Sequence, residues 1–187
     1  MIELRDYQNN GVKQITDLFS KGKKHLIGQA ATGAGKTVIF SFIAQNVVLK
    51  SKKVLILTDR EELLEQTGSS LENFGVNPYY IKAGLKKVDK NNSVFVAMCE
   101  TLRNRLKLDD WCKWISEEID LVIIDEAHRQ NFNYIFQSGL LDNKHVLGFT
   151  ATPRRGGSQR QLAMDYDEIV EIASTLALVK LGFLVND

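Results

Sequence analysis

The chain has 187 residues, of which 44% are hydrophobic and 25% are charged, the ordinary balance of a globular domain with a sizeable core. Its formal net charge of +1 excludes a global field that recruits polyanions, so any nucleic-acid contact must come from local clusters of Lys and Arg. No apolar run is long enough to cross a bilayer, and no N-terminal segment has the pattern of a targeting signal. The only cysteines, Cys99 and Cys112, lack metal-ligand spacing, and we expect reduced thiols in an intracellular protein.

Short aliphatic runs alternate with longer amphipathic stretches. In chain order, the sequence predicts a helix over 8–19, a strand over 25–27, a helix over 37–49, a strand over 54–57, a helix over 61–74, and strands over 94–97, 121–124 and 146–149. The strands are apolar on both faces, which is typical of parallel strands buried between layers of helices. We therefore expect an α/β fold with a doubly wound, mostly parallel sheet and helices on both faces.

The segment over 30–37 reads Ala-Ala-Thr-Gly-Ala-Gly-Lys-Thr and joins the first strand to the next helix, the setting of a phosphate-binding loop. Gly33 and Gly35 permit backbone angles that turn N–H groups toward phosphate oxygens. Lys36 would place a cation on the β- and γ-phosphates, and Thr37 would offer a hydroxyl to Mg²⁺ at the helix N-terminus. The general pattern begins with glycine where this loop has alanine, so a glycine-rich turn with an incidental lysine is the alternative.

The fourth predicted strand runs directly into Asp125, Glu126, Ala127 and His128. Ligands of open α/β sheets bind at the carboxyl edge, where this strand delivers its carboxylates. Asp125 would hold Mg²⁺, and Glu126 would orient and deprotonate the attacking water. His128 lies beyond the strand and would relay the state of the γ-phosphate to another segment. The alternative is a solvated acidic turn with a surface histidine.

These segments resemble the motifs of superfamily 2 helicases with DEAH-type lobes. The resemblance covers the N-terminal segment LRxYQ at 4–8, motif I at 30–37, motif Ia at 58–66, motif Ib at 100–102, motif II at 125–128 and motif III at 150–153. It implies a RecA-like lobe, and A-x-T-G-x-G-K-T is a familiar form of motif I in this family. The Asp59-Arg60 pair looks most like motors of the restriction-enzyme, repair and phage-helicase type, which favours DNA over RNA as the partner.

The resemblance also implies a role for individual residues. Arg5 and Gln8 would hold adenine, which favours ATP over GTP, although Tyr7 between them has a packing role as its alternative. The remaining implied residues are Gly33, Ala34, Gly35, Lys36 and Thr37 for ATP with Mg²⁺, Thr58, Arg60 and Thr101 for the nucleic-acid backbone, and Thr150 and Thr152 for coupling. The bland alternatives are a helix N-cap at Thr101 and a strand-end turn at the last two threonines.

Three basic clusters could contact phosphates. They are Lys82, Lys86, Lys87 and Lys90, then Arg103, Arg105 and Lys107, then Arg154, Arg155 and Arg160. Such clusters are often only solvated surface, but the second, with Arg103, directly follows Thr101 and is therefore favoured as a nucleic-acid contact. Trp111 and Trp114 have the spacing of a core-facing helix, which we prefer to base stacking.

No motif IV, V or VI is found, and Arg154 and Arg155 follow motif III too closely to serve as arginine fingers. We expect residues 1–187 to be a single lobe of a longer protein whose second RecA-like lobe completes the site. Such a lobe would bind ATP, hydrolyse it weakly and not unwind a duplex, since arginine fingers accelerate related enzymes about a thousandfold or more. Two other classes stay open, namely another P-loop enzyme such as a small-molecule kinase or GTPase, and a module that uses ATP only as a switch.

Overall fold

A fully parallel sheet of seven strands forms the centre of the fold in the part of the chain that the structure describes. The computed structural model describes residues 3–152 and 162–183. The strands are β1 (His25–Ala30), β2 (Val54–Thr58), β3 (Tyr79–Ile81), β4 (Val94–Met98), β5 (Leu121–Ile124), β6 (His145–Thr150) and β7 (Glu168–Ala173). They lie side by side in the order β3-β4-β2-β5-β6-β1-β7. Every pairing in this sheet is parallel, so all the carboxyl ends lie at one edge.

Helices cover both faces of the sheet, as the sequence predicted. They are α1 (Asp6–Ser20), α2 (Lys36–Val48), α3 (Glu61–Asn73), α4 (Cys99–Arg105), α5 (Asp109–Glu118), α6 (Asn133–Gln137) and α7 (Thr175–Lys180), with short 3-10 turns at Gln130–Phe132 and Leu162–Met164. Side chains alternate along β2, so Ile56 packs in one hydrophobic layer while Leu55 and Leu57 pack in the other. The second layer also buries Trp111 and Trp114, which confirms their predicted place in the core. In the part of the chain that the structure describes, no helix is long and apolar enough to span a membrane.

The five predicted strands and three predicted helices are all present, each within a few residues of its expected bounds. The sequence patterns missed β3 and β7, which are the two edge strands. β3 has only three residues, two of them half-buried, and β7 has three exposed positions among its six, so neither has the continuous apolar run of a central strand.

Strand β6 lies between β1 and β5, and this order assembles the site. Its residue Thr150 pairs with Gln29 next to the phosphate loop, and its residue Gly148 pairs with Ile124 next to the acidic segment. Gly148 is required at its position because a Cβ atom there would lie 2.7 Å from the Cβ of Ala127. The three segments at 30–37, 125–128 and 150–152 therefore meet at the carboxyl edge.

Candidate nucleotide and nucleic-acid site

The phosphate loop has the backbone that its sequence predicts. Helix α2 begins at Lys36, directly after Gly35, whose φ of 75° lies in the left-handed region that favours glycine. Gly33 has a φ of 82°. A Cβ atom at Gly35 would also lie 2.7 Å from Nε2 of Gln8, so the loop backbone packs directly against the side chain of Gln8.

The N-terminal segment is fastened to the same loop through Ala34. Nε2 of Gln8 donates to the Ala34 carbonyl oxygen at 3.0 Å, and the Tyr7 hydroxyl donates to the same oxygen at 3.1 Å. Oε1 of Gln8 accepts the Arg5 backbone N–H, and the exposed Arg5 guanidinium lies 4.1 Å above the Phe183 ring. Arg5 and Gln8 thus stand beside the phosphate loop, where an adenine-contacting segment is expected, and Tyr7 both packs and donates a hydrogen bond.

A continuous chain of polar contacts links the three segments. Nζ of Lys36 lies 3.3 Å from Oε1 of Glu126, and Oε2 of Glu126 lies 3.3 Å from Nδ1 of His128. Nδ1 of His128 in turn lies 2.9 Å from Oγ1 of Thr150. When the Thr150 hydroxyl donates its single hydrogen to the Thr152 carbonyl oxygen, at 3.0 Å, Nδ1 of His128 must be the donor to Thr150. All five of these residues were predicted site residues, and the fold brings them together.

Asp125 is a buried carboxylate, 5% exposed, directly after the end of β5. Burial, and after it the negative charge of Glu126, raises the pKa of Asp125 to about 6. A divalent cation beside this carboxylate would relieve both effects. The Thr37 hydroxyl and the Asp125 carboxylate are oxygen ligands of the kind that Mg²⁺ takes together with substrate phosphates and water. Because Mg²⁺ needs few protein ligands, it fits here although the described residues contain no cluster of three potential ligands.

Glu126 has an unusual backbone conformation, with a φ of 50°. Its N–H donates to Oδ1 of Asp125 at 3.0 Å, and the next N–H, of Ala127, donates to the Phe149 carbonyl oxygen on β6 at 2.8 Å. A non-glycine residue in the left-handed region costs of order 1 kcal/mol or more and persists where surrounding contacts hold it. The turn therefore fixes Glu126 opposite Lys36 rather than continuing the strand.

The residues predicted to contact nucleic acid lie at the carboxyl edge of the sheet, and the structure adds detail on Thr58 and Thr101. Thr58 is buried, and its hydroxyl donates to the Arg60 carbonyl oxygen at 3.3 Å, so it supports the exposed Arg60. Thr101 lies inside α4, which begins at Cys99, so its interpretation as a helix N-cap is wrong. Arg103 is exposed on the same helix.

The fold brings three lysines of the first basic cluster close to one lysine of the second. Lys86, Lys87 and Lys90 line one groove of about 800 Å³ together with Lys107 of the second cluster. Lys90 is engaged by Glu118 at 2.7 Å, which raises the pKa of Lys90. The third cluster, Arg154, Arg155 and Arg160, lies outside the described residues.

An ion pair that the sequence patterns did not predict joins Asp59 and Arg129. The NH1 atom of Arg129 lies 2.6 Å from Oδ2 of Asp59, whose side chain is 2% exposed. The pair joins the end of β2 to the residue that follows motif II. Seventy positions separate the two residues in the sequence, and neither belongs to a pattern that requires the other, so no local signal pointed to the contact.

The family model described as "Type III restriction enzyme, res subunit" matches residues 1–155, which is most of the chain. The chain belongs to this family. As a res-subunit family member it carries the N-terminal RecA-like lobe of a superfamily 2 helicase, as its motifs and sheet indicated. It is 33% identical, over 94% of its length, to the Saccharomyces cerevisiae protein named "Putative ATP-dependent helicase IRC3", of which it spans 27%. It is 30% identical, over 82% of its length, to the Haloarcula marismortui protein named "Putative DNA 3'-5' helicase Rad25", of which it spans 23%.

Solved structures support the fold of this res-subunit family member. A nuclease-deletion mutant of the type ISP restriction-modification enzyme LlaGI, in complex with a DNA substrate mimic, matches 100% of the chain with a TM-score of 0.78 and 18% identity, over 21% of that protein. The UvsW helicase of bacteriophage T4 matches 91% of the chain with a TM-score of 0.68 and 20% identity, over 60% of its own chain. At these identities the likeness establishes the RecA-like fold alone.

Proposed function

We propose that the chain is the ATP-binding motor lobe of a nucleic-acid-dependent ATPase that couples ATP hydrolysis to movement on DNA. The observation that carries this proposal is the chain of contacts from Lys36 through Glu126 and His128 to Thr150. These residues join a phosphate loop to a carboxylate and the carboxylate to a separate strand end. A lobe that only bound ATP would not need the contacts of His128 with Glu126 and Thr150.

The binding step uses the phosphate loop and the segment beside it. Lys36 and the loop N–H groups would bind the phosphates at the start of α2, where the helix dipole favours anions. Arg5 and Gln8 would contact the adenine, which supports ATP as the nucleotide. Thr37 and Asp125 would hold Mg²⁺, which supplies charge neutralisation on the β- and γ-phosphate oxygens.

The hydrolysis step uses Glu126. Once Lys36 turns to the phosphates, the Glu126 carboxylate loses its cationic partner and becomes available to accept a proton from water. His128 stays within reach of both Glu126 and Thr150, so a displacement of the carboxylate passes to the end of β6. Thr152 accepts the Thr150 hydrogen bond and extends this path into motif III.

The nucleic-acid partner would bind at the same edge, with Arg60, Thr101 and Arg103 contacting phosphates and Thr58 supporting Arg60 through its hydrogen bond. Phosphate contacts without base reading suit a motor that moves along any sequence. DNA is favoured over RNA because the archaeal relative is named a DNA helicase. A second RecA-like lobe would supply the arginines that complete the ATP site.

The decisive experiment measures ATP hydrolysis by the chain with and without single- and double-stranded DNA and RNA, together with fluorescent-ATP binding. Lys36→Ala is the control, and it should abolish both binding and turnover. ATP binding with weak turnover supports the isolated-lobe proposal. Vigorous turnover stimulated by polynucleotide would refute the need for a second lobe, and turnover that ignores every nucleic acid would favour another class of P-loop enzyme.

A further inference from the structure

The segment that follows motif II, residues 129–137, contacts both of the segments that the proposed function assigns to nucleic acid. Its first contact is the ion pair between Arg129 and Asp59, one residue before Arg60. The other carboxylate oxygen of Asp59, Oδ1, is buried and has no hydrogen-bond partner among the described residues. A buried carboxylate held by one arginine is costly to separate from it, so the end of β2 is tied to the position of Arg129.

The second contact of this segment is made by Tyr134. Its hydroxyl donates to the carbonyl oxygen of Cys99 at 2.8 Å, at the first residue of α4. The guanidinium of Arg103 lies 5.9 Å from the Tyr134 ring, so α4 rests on this tyrosine at two points. Burial, and after it the negative charge of Asp59, raises the pKa of the Cys99 thiol at the start of α4 to about 11. The two nucleic-acid segments and the segment after motif II thus form one contact network.

The network begins at Glu126, whose contact with Lys36 would be broken by bound phosphates. The Arg129 N–H donates to the Glu126 carbonyl oxygen at 3.0 Å, within the strained turn where Glu126 has a positive φ. Glu126 faces Lys36, and phosphates that claim Lys36 would end that contact. Any change in the Glu126 turn therefore acts on Arg129 through a backbone hydrogen bond and a three-residue tether.

We infer that Arg129 and Asp59 are positioning residues that carry the nucleotide state of the Glu126 turn to the nucleic-acid segments at Arg60 and Arg103. This path is separate from the one through His128 and Thr150, since it leaves motif II on the other side, toward β2 and α4. The inference rests on the proposed function, because it assumes that ATP binds at Lys36 and nucleic acid binds at Arg60. Arg129 would touch neither ligand.

The test compares the affinity for a fluorescent single-stranded DNA with and without Mg²⁺ and a slowly hydrolysed ATP analogue, and expresses the result as a ratio. In the wild-type chain we expect nucleotide to change the DNA affinity about fivefold or more, the usual scale of coupling between sites. In Arg129→Gln the ratio should fall to about 1 while fluorescent-ATP affinity is retained, and Arg129→Lys should restore part of it. Hydrogen exchange over residues 57–64 and 99–105, measured with and without nucleotide, should lose its nucleotide dependence in the same variant.

The matched control is Lys53→Gln, which removes an ion pair to Glu118 of 2.7 Å at the opposite end of the same strand, β2. We expect Lys53→Gln to leave the ratio unchanged. A general disturbance of β2 would instead lower the ratio in both variants. If Arg129→Gln does not fold, Asp59→Asn with Arg129→Gln removes both charges together and is measured instead. The inference is overturned if the Arg129 variants keep the wild-type ratio, or if Lys53→Gln lowers the ratio equally. It is also overturned if nucleotide binds the wild-type chain but does not change its DNA affinity. A wild-type chain that binds no nucleotide overturns the proposed function, and the inference falls with it.

Discussion

Nζ of Lys36 lies 3.3 Å from Oε1 of Glu126, so the cation that the phosphates require is already engaged by the carboxylate that would activate water. Both side chains are largely buried, at 12% and 25% exposure, and the pair is correspondingly less screened than a surface salt bridge. On the proposed function, nucleotide binding would therefore exchange one anionic partner of Lys36 for another. The same exchange would make Glu126 available as a base when phosphates bind Lys36.

Glu126→Gln should separate binding from hydrolysis. The amide cannot accept the proton of water, so turnover should fall by about a hundredfold or more. The neutral side chain competes less for Lys36, so ATP affinity should be retained or rise. Fluorescent-ATP titration and phosphate release measure the two effects separately. An ATP affinity that falls as far as in Lys36→Ala would show that Glu126 organises the binding site instead.

Asp125→Asn should stabilise the metal-free chain at neutral pH. The pKa of Asp125 is raised from its ordinary value of 3.8 to about 6, so the folded chain binds this proton more tightly than the unfolded chain does. Stability is consequently lost as the pH rises between these two values, by about 3 kcal/mol at most. In EDTA, the variant should unfold at a higher temperature than the wild type at pH 7.5, and the difference should shrink toward pH 4. A variant that is less stable at pH 7.5 would contradict the assigned cause of the shift.

The same variant should lose the response to Mg²⁺. Wild-type chain with ATP should be stabilised further by Mg²⁺, because binding to the folded state alone raises stability by mass action. Asp125→Asn should show little additional stabilisation, since a neutral amide is a poor ligand for this ion. Thermal unfolding in ATP, with and without Mg²⁺, makes the comparison, and an equal Mg²⁺ response in both proteins would exclude Asp125 as a ligand.

Gly35→Ala should impair nucleotide binding more than it impairs folding. The new methyl group combines a positive φ with a position 2.7 Å from Nε2 of Gln8, so the loop and the N-terminal segment must separate. We expect ATP affinity to fall about tenfold or more, because the loss of one hydrogen bond from a loop N–H group to a charged phosphate lowers affinity by about this factor. Gly22→Ala is the matched control, with a φ of 88° and no atom within 4 Å of the added carbon. Equal ATP affinity in the two variants would show that the Gln8 contact is unimportant.

Arg60→Gln and Arg103→Gln should each weaken nucleic-acid binding and reduce its salt dependence. Each phosphate contact on a single strand contributes about 0.7 to the slope of log affinity against log salt concentration. Each variant should therefore lower the slope by about this amount, with similar losses for DNA of different sequences. Lys13→Gln, at an exposed position on α1, is the charge-matched control. An unchanged slope in both arginine variants would remove these residues from the contact surface.

Much of the fold could be predicted because the central strands are buried on both faces and read as continuous apolar runs, as in Leu121–Ile124. The phosphate loop and the acidic segment could be predicted because their chemistry constrains adjacent residues. Contacts between distant segments could not. Nothing local required Arg129 to meet Asp59 or placed Lys36 against Glu126, since both contacts arise from the order of strands in the sheet.

The strand that leads into the phosphate loop pairs only with β6 and β7 within the described part of the chain, more than 100 residues further along. Chain-closure entropy makes such distant pairing slow, and a strand cannot be held in a sheet before its neighbours exist. We therefore expect the phosphate loop, although it is encoded early, to become ordered late in folding. During synthesis, the ribosome would have to release nearly the whole lobe before the loop could take its binding shape, so the nascent chain would gain nucleotide affinity only after β7 had emerged.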